Sequence, residues 1–300
     1  MGRDGSTRST GRFEKRRPDL STGEHEQDQP LSGGMMNTVV RRGDRVVRGA
    51  VPHAPALHGF LTALADRGFT GAPRPLALYP AEGGNGPGTE ELTFVEGDVA
   101  LPPFPAWSRA DSVVSTCARL LRRYHDAAEH VPLDTAVAWP SALSDPEGGT
   151  LLCHNDPCLE NLVFRDGEAV ALIDFDLAAP GRPVWDLAAL AFYLGPTLPP
   201  EALARTEFAG ARTPHRIRLL ADAYGMSDAD RRSLPEAVEQ YNEVSRDFVK
   251  DMFDQGNPLF VRTVERVGGW ASWERLRVRR SGWLRDQRPV LLAALTDPVT

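Results

Sequence analysis

Two kinds of apolar spacing divide the chain into a β-rich first third and a helical remainder. In the first third, β-branched residues concentrate in short runs at 37–41 and 45–48, on either side of the turn sequence 42–44. This combination is typical of a β-hairpin. Further strands are expected at 75–79 and 91–95, which flank a loop rich in glycine and proline. The first third is therefore predicted to be a small sheet.

Apolar residues at helical spacing first occur within this sheet-forming region, and they are the main pattern in the rest of the chain. Between Pro55 and Gly68, leucine and phenylalanine recur every three or four residues, which predicts a helix of about twelve residues. A longer helix is predicted over 110–128, and further helices over 184–295. The expected fold class is α+β, with a small sheet carrying one helix followed by a larger, mostly helical part.

Changes in composition set the expected domain boundaries. Residues 1–30 are rich in glycine, serine, threonine, arginine and glutamate and have almost no apolar positions, so they are predicted to be a disordered tail. Gly97 and the Pro102-Pro103 pair then mark the point where the β-rich pattern ends. The prediction is an N-terminal lobe with linker at 31–97 and a C-terminal lobe at 98–300.

Charge and composition narrow the classes of function. The 300 residues include 34 basic and 41 acidic side chains, and a net charge of −7 is unfavourable for a broad nucleic-acid surface. Apolar runs stay well short of the roughly 20 residues that span a bilayer, so no membrane partner is expected. Cys117, Cys153 and Cys158 have no C-x-x-C spacing, which favours a reducing, cytoplasmic location.

One polar loop interrupts the helical part. Apolar strands are predicted at 151–152, 162–164 and 169–173, and Asp166-Gly167 between the last two is a strong hairpin signal. The loop between the first two strands, 154–161, has the sequence H-N-D-P-C-L-E-N. Because the hairpin returns the chain beside this loop, the loop and the end of the last strand are expected to converge.

The side chains that converge there fit phosphoryl transfer. His154, Asp156 and Asn161 form an H-x-D-x-x-x-x-N string, and Asp174 ends the strand after the hairpin. Phosphoryl transfer from a nucleotide needs a carboxylate beside the attacking hydroxyl and oxygen ligands for Mg²⁺. Asp156 is the predicted base, and Asn161 and Asp174 are the predicted metal ligands. The alternative is that these residues only form turns and cap a strand.

These motifs resemble a known family. The segment 152–190, with its HNDPCLEN loop, LIDFD strand end and WDLA helix start, is similar to the aminoglycoside phosphotransferase and choline kinase-like family of small-molecule kinases. The N-terminal SGGMMNTVVRRGDRVVRG and LTFVEG sequences also resemble the nucleotide-holding lobe and linker of bacterial members. The resemblance extends over about 33–290. It implies a two-lobed, protein-kinase-like fold.

The resemblance also implies a role for each matching residue. In the family, the residue that matches Asp156 is the catalytic base, and those that match Asn161 and Asp174 bind magnesium. The residue that matches Asp186 braces the catalytic loop, and the one that matches His154 supports the loop architecture.

The phosphate-binding residues depart from the usual kinase pattern. Kinase-like folds place a lysine on the third strand, paired with a glutamate of the following helix. This chain has no lysine between Lys15 and Lys250, and its predicted helix has no glutamate. Arg48 is the predicted replacement, since it keeps the positive charge. Gly33 and Gly34 are either a reduced phosphate-covering loop or an ordinary turn.

The connection between the lobes is expected to hold the base of the nucleotide. The resemblance assigns this role to backbone groups of Thr93, Phe94, Val95 and Glu96. Both ATP and GTP are candidates.

An acidic series marks the helix expected after Pro235. Glu239, Glu243, Asp247 and Asp251 recur every four residues, a spacing that places like charges on one helical face. One interpretation is an acidic wall for a polyamine-like acceptor. The other is an ordinary solvent-exposed face.

Two functions from different classes follow. The first is a Mg²⁺-dependent phosphotransferase that moves the terminal phosphate of ATP or GTP to a hydroxyl of a small molecule, with an aminoglycoside-like or other cationic compound as a candidate acceptor. The second is a catalytically silent, kinase-like binding or regulatory protein. The missing lysine and glutamate favour the second, whereas intact Asp156, Asn161 and Asp174 favour the first more strongly. A kinase acting on protein is unsupported, because H-R-D and A-P-E strings are absent from the sequence.

Overall fold

The computed structural model of the chain describes residues 28–31, 39–81, 83, 88–134 and 136–297. The predicted phosphate-covering loop at Gly33 and Gly34 lies outside the described residues, as does most of the predicted tail. Within the described residues, none of the helices combines the length and the apolar character that crossing a bilayer requires.

The N-terminal part of the chain forms a sheet. Its strands are β1 (Gln29–Pro30), β2 (Val39–Arg42), β3 (Arg45–Gly49), β4 (Pro75–Tyr79) and β5 (Thr89–Thr93). Their spatial order is β1-β2-β3-β5-β4, and all neighbouring pairs are antiparallel. In the register of β3 with β5, Arg48 lies directly opposite Glu90. The sheet therefore sets a cation beside a carboxylate.

A single helix, α1 (Ala54–Asp66), packs against β4. Pro55 lies in its first turn, where a missing N–H costs nothing, and Gly68 follows its end with φ +82°. The buried side chains of α1 recur at helical spacing, as predicted: Leu57, Phe60, Leu61 and Leu64. This apolar face joins the core that continues into the helical part of the molecule.

Five short strands of the described residues lie before and after the polar loop at 154–161. They are β6 (Asp98–Val99), β7 (Leu151–Cys153), β8 (Leu162–Arg165), β9 (Glu168–Leu172) and β10 (Ala179–Gly181), paired as β6-β8-β9 and β7-β10. Asp166 (φ +52°) and Gly167 (φ +80°) form the tight turn between β8 and β9. Gly97 (φ +146°) lies at the end of the linker, and a Cβ added at this position would lie 2.5 Å from the carbonyl oxygen of Phe164. Only glycine fits this crossing.

The other α-helices of the described residues follow in the C-terminal part. They are α2 (Asp111–Ala128), α3 (Pro183–Leu194), α4 (Pro200–Leu203), α5 (Thr213–Tyr224), α6 (Asp228–Asp254), α7 (Pro258–Arg266) and α8 (Trp270–Thr296). Helix α3 is buried on nearly all sides and packs against α2 and α6, while α6 also packs against α8. An all-round apolar helix belongs at the centre of a core. The architecture is the predicted α+β one, with an N-terminal antiparallel sheet and a helical C-terminal part.

Three boundaries differ from the sequence predictions. Residues 29–30, expected in the disordered tail, pair with β2 as strand β1. Strand β5 begins two residues earlier than predicted, because Glu90 is buried inside the sheet through its ion pair with Arg48. Helix α6 begins before Pro235 rather than after it, and Ser227 caps it by accepting a hydrogen bond from the backbone N–H of Asp230.

Candidate active site

Asp186 is the charged residue of the otherwise apolar helix α3, and it is fully buried. Its Oδ2 accepts a hydrogen bond from the backbone N–H of His154 at 2.8 Å, and its Oδ1 accepts one from Asn155 at 2.7 Å. The ring Nε2 of His125 lies 3.1 Å from the same Oδ2. A buried carboxylate needs such partners. Asp186 thereby fixes the start of residues 154–161, the Asp156 loop, against the core.

His154 ties the Asp156 loop to the end of β9. Its Nε2 lies 2.9 Å from the carbonyl oxygen of Ile173, and its Nδ1 lies 3.4 Å from the backbone nitrogen of Asp156. Since the carbonyl accepts and the amide donates, this pattern requires the tautomer with a proton on Nε2. The ring also packs against Phe175, with 4.6 Å between centroids. His154 therefore holds the loop and the strand end together.

Asp156 is buried and hydrogen-bonded at both carboxylate oxygens. Its Oδ1 accepts from the hydroxyl of Tyr193 at 2.7 Å, and its Oδ2 accepts from Nδ2 of Asn161 at 3.1 Å. Burial raises the pKa of Asp156 above its ordinary value, although the bond from Tyr193 opposes this shift. A carboxylate with a raised pKa is a stronger base than an exposed aspartate.

Asn161 and Asp174 lie beside Asp156. Asn161 donates a second bond from Nδ2 to the backbone oxygen of Asp156 at 2.9 Å. The backbone carbonyl of Asn161 accepts a bond from the N–H of Ile173 at 2.9 Å. Asp174 has φ +62°, a left-handed conformation that is uncommon outside glycine and is often found at functional sites. Its carboxylate charge raises the pKa of Asp156 further, after the larger effect of burial. The structure thus brings together the predicted base and both predicted metal ligands.

Arg48 is buried and bonded to three carboxylates. Its Nε donates to Oε1 of Glu90 at 2.7 Å, its Nη1 to Oδ1 of Asp174 at 2.8 Å, and its Nη2 to Oδ1 of Asp176 at 2.5 Å. Burial alone lowers the pKa of a guanidinium, but these neighbouring carboxylates raise the pKa of Arg48 above its ordinary value. The side chain is therefore a fixed cation beside the predicted metal ligands.

Glu90 has a second partner, on helix α1. Its Oε2 lies 2.6 Å from the ring Nε2 of His58. Arg48, Glu90 and His58 are named the Arg48 cluster below. The sequence offers no glutamate on the helix for Arg48. The structure shows that the carboxylate bonded to its Nε, Glu90, is on strand β5 and that α1 contributes a histidine instead.

A cavity of about 290 Å³ opens between the sheet and the β8-β9 hairpin. At one end it meets the linker residues Thr93, Phe94 and Val95, and at the other end Arg48 and the two predicted metal ligands. Between these ends its walls are apolar and include Val39, Val46, Leu92, Val163 and Ile173. The cavity is therefore largely apolar, and its charged lining residues are Arg48, Asp174 and Glu160.

The linker offers fewer free backbone groups than expected. The N–H of Thr93 donates to the carbonyl of Arg74 at 2.9 Å, and that of Phe94 to the carbonyl of Asp44 at 2.7 Å. Among the hydrogen bonds of the described residues, none engages the N–H of Val95. The Glu96 side chain is exposed and pairs with Arg41 rather than lining the cavity.

The acidic series of α6 lies away from these groups. Glu239 accepts two bonds of 2.7 Å from the guanidinium of Arg288 on α8, and Glu243 accepts from Ser281 at 2.5 Å. Asp247 is 72 % exposed and Asp251 is also exposed. Among the described contacts, none joins any of the four carboxylates to Asp156 or Asp174.

The opposite face of α6 does reach the Asp156 loop. The hydroxyl of Tyr241 donates to the backbone oxygen of Asn155 at 2.9 Å and lies 3.4 Å from the hydroxyl of Tyr193. Sequence reasoning missed both tyrosines. A signal existed for Tyr193, which follows Asp186 by two turns on the same apolar helix and is thus a second polar group on one buried face.

Sequence reasoning also missed three charged or titratable residues that contact Arg48 or its partner Glu90. Asp176 follows Asp174 in the LIDFD sequence, so its proximity could have been foreseen. Glu90 stands in the alternating sequence TEELT, where the inward position of a charged residue signals a buried partner. The position of His58 in a helical pattern gave no signal that it meets Glu90.

Comparisons with known proteins agree with this architecture. Residues 129–220 match the model of the phosphotransferase enzyme family. Over 279 residues the chain is 30 % identical to the trifolitoxin immunity protein of Rhizobium leguminosarum bv. trifolii, and the match covers 88 % of this chain and 97 % of that protein. The chain belongs to the phosphotransferase enzyme family.

Solved structures of other proteins share the fold of this chain. A choline/ethanolamine kinase family protein from Mesorhizobium loti has a TM-score of 0.60 at 18 % identity, covering 90 % of this chain and 92 % of that one. The amicoumacin kinase hAmiN, solved with AMP-PNP, Ca²⁺ and Ami, has a TM-score of 0.59 at 13 % identity, covering 87 % and 89 %. At these identities the likeness concerns the fold. The fold is kinase-like, as the sequence resemblance implied.

Proposed function

We propose that this protein is a Mg²⁺-dependent phosphotransferase that moves the terminal phosphate of ATP or GTP to a hydroxyl group of a small molecule. The observation that carries the proposal is that one cavity combines Arg48, Asn161 and Asp174 in its lining, with Asp156 one hydrogen bond beyond Asn161. Membership of the phosphotransferase enzyme family supports the same reaction class.

Asp156 is the proposed base. The acceptor oxygen forms a bond to the terminal phosphorus while the bond from that phosphorus to the bridging oxygen of the nucleoside diphosphate breaks. The hydroxyl proton goes to the carboxylate of Asp156, whose pKa is raised by burial. Bonds from Tyr193 and Asn161 hold this carboxylate in one orientation, so that catalysis depends chiefly on positioning.

Asn161 and Asp174 fit a magnesium ion by the chemistry of their donors. The side-chain nitrogen Nδ2 of Asn161 is bonded to Asp156, so the side-chain oxygen Oδ1 of Asn161 is the atom available to the ion. Asp174 presents a partly exposed carboxylate to the same cavity. Amide and carboxylate oxygens are the ligands that Mg²⁺ takes in phosphotransfer sites. When bound, the ion neutralises charge on the phosphates.

The remainder of the cavity fits the nucleotide. Its apolar walls and the linker suit a purine, with the N–H of Val95 as a donor for the base. Arg48 at the charged end suits the phosphates, because a guanidinium binds phosphate oxygens as a planar fork. A small-molecule acceptor would approach Asp156 from the side of Tyr193 and α6.

The name of the relative suggests a class of acceptor to test. Because a trifolitoxin immunity protein shares 30 % identity over most of its length, toxins and antibiotics join aminoglycosides, choline-like amines and sugars as candidate acceptors. Glu239, Glu243, Asp247 and Asp251 remain proposed contacts for a cationic acceptor, although Glu239 and Glu243 are already bonded to side chains of α8.

The experiment is transfer of labelled terminal phosphate from ATP or GTP to such a panel, with and without Mg²⁺. Mg²⁺-dependent labelling of a compound by the wild-type protein supports the proposal. The second candidate is a catalytically silent kinase-like protein, favoured by the absence of the usual strand lysine. Tight nucleotide binding that is independent of Mg²⁺, with no hydrolysis or transfer, is the result expected from that alternative.

A further inference from the structure

Glu90 is a fully buried carboxylate on β5, the strand between β3 and β4 in the N-terminal sheet. Each of its oxygens has one partner: Oε1 accepts from Nε of Arg48 at 2.7 Å, and Oε2 lies 2.6 Å from Nε2 of His58. Buried charges persist in proteins where partners compensate for lost water. Glu90 is therefore held between strand β3 and helix α1.

The bond from Glu90 fixes the direction of the guanidinium. Arg48 uses Nε for Glu90, so its planar group turns Nη1 and Nη2 toward the cavity, where they meet Asp174 and Asp176. An ammonium group has one nitrogen at the end of a flexible chain and lacks this planar geometry. The arrangement therefore suits arginine and does not suit lysine.

We propose that Glu90 and His58 are positioning residues that hold Arg48 by its Nε and so aim its two terminal nitrogens at the phosphates of the nucleotide. The inference rests on the proposed function. In this arrangement the carboxylate that orients Arg48 is on the sheet rather than on the helix. Helix α1 instead contributes His58, which contacts the other oxygen of that carboxylate.

The phosphates and two aspartates compete for the terminal nitrogens of Arg48, and this competition decides whether loss of Glu90 raises or lowers nucleotide affinity. Without nucleotide each terminal nitrogen bonds a carboxylate, Asp174 or Asp176, so phosphate oxygens must compete with these carboxylates for the guanidinium. Glu90 holds the guanidinium from the opposite side. Without Glu90, the two aspartates hold Arg48 unopposed, so the affinity for phosphates falls while contacts to the base are unchanged.

The experiment compares a triphosphate analogue with a nucleoside that lacks phosphates. Binding of Mg·AMP-PNP to the full chain is measured by calorimetry, and binding of adenosine by NMR titration, for the wild-type protein and for Glu90→Gln, His58→Leu and His58→Gln. If the wild-type protein prefers guanine nucleotides, Mg·GMP-PNP and guanosine are used. Thermal unfolding checks that each variant is folded.

Glu90→Gln and His58→Leu are expected to weaken Mg·AMP-PNP binding about tenfold or more, the loss usual for a charged hydrogen-bond partner, and to leave adenosine binding within about twofold. His58→Gln should recover most of the affinity, because its amide donor can reach Oε2 of Glu90. Glu91→Gln is the matched control, since the next residue of the same strand pairs with the exposed Arg45 at 3.1 Å and does not line the cavity.

Two results overturn the inference while leaving the proposed function intact. One is unchanged Mg·AMP-PNP affinity in Glu90→Gln and His58→Leu, and the other is an equal loss for adenosine and Mg·AMP-PNP, which indicates a general structural role. If Glu90→Gln does not fold, the two His58 variants decide between these results. A wild-type protein that binds neither triphosphate analogue overturns the proposed function itself.

Discussion

The Asp156 loop and the Arg48 cluster bring side chains to the same cavity, but they are built in different ways. The Asp156 loop is one short segment whose backbone is fixed by bonds to a single buried carboxylate, Asp186. The Arg48 cluster comes from two paired strands and a helix, and each of its side chains is oriented by a bond to the next one.

This difference separates the expected consequences of substitution. In the Asp156 loop, the bonds to Asp186 keep the backbone in place when a functional side chain is changed, so coupling is expected only between side chains that bond each other directly. In the Arg48 cluster, each side chain orients the next one, so substitutions should be strongly non-additive. The four predictions below test this contrast, starting from the largest expected effect.

Asp156→Asn should reduce transfer by about a hundredfold or more, because the amide cannot accept the acceptor's proton. Nucleotide affinity should stay close to that of the wild-type protein, because Asp156 faces the acceptor and the backbone of the loop is held by Asp186. Steady-state transfer rates and calorimetry measure the two effects. Asp166→Asn, the same change in the β8-β9 turn, is the control. A variant that keeps more than about a tenth of the rate contradicts the base role.

Asp174→Asn should remove most of the dependence of nucleotide affinity on Mg²⁺, because a neutral amide is a weaker ligand for the ion. It also takes one carboxylate away from Arg48. We therefore expect the affinity measured without Mg²⁺ to be unchanged or slightly higher. Calorimetry of AMP-PNP binding with Mg²⁺ and with a chelator gives the two affinities. If Mg²⁺ changes the affinity of the variant as much as that of the wild-type protein, Asp174 is excluded from the metal site.

Arg48→Lys should raise the nucleotide KM and lower kcat together, each by several-fold to about tenfold, because an ammonium cannot reproduce the planar contacts with Glu90 and the phosphates. Arg45→Lys on the exposed side of the same strand is the control. If the contrast drawn above is correct, adding Glu90→Gln to Arg48→Lys costs little more. Full activity of Arg48→Lys would show that the cluster is not built around arginine.

Tyr193→Phe should have the smallest effect on rate, a few-fold at neutral pH, together with a shift in the pH profile. Asp156 must be ionised to act as a base, so the rate falls as pH falls through its pKa. Burial raises this pKa and the Tyr193 hydroxyl lowers it. Loss of the hydroxyl therefore raises the pKa further and moves the acid limb to higher pH. Tyr79→Phe, at an exposed edge, should leave the profile unchanged.

The two regions also differ in how far the sequence predicts them. The spacing of His154, Asp156 and Asn161 and the hairpin that returns Asp174 are short-range features, and the structure brings these side chains together. The contact of Arg48 with Glu90 joins residues far apart in sequence and depends on the register of β3 with β5. Strand propensity does not specify that register, and helical spacing does not reveal which polar residue of α1 faces the sheet.

The acidic series of α6 shows the same limit. The period of four residues correctly places its carboxylates along one side of a helix. Which side meets the Asp156 loop depends on how α6 packs between α3 and α8, and it is Tyr241 that makes the contact. Tertiary packing of this kind leaves no periodic signal in a single sequence.

The most direct test of the account is a crystal structure of the chain with a Mg²⁺-bound, non-hydrolysable analogue of ATP or GTP. We predict the ion on the side-chain oxygens of Asn161 and Asp174, the phosphates beside Nη1 and Nη2 of Arg48, and the Nε of Arg48 still bonded to Glu90. A nucleotide bound outside this cavity, or a metal ion held by other residues, would contradict the account.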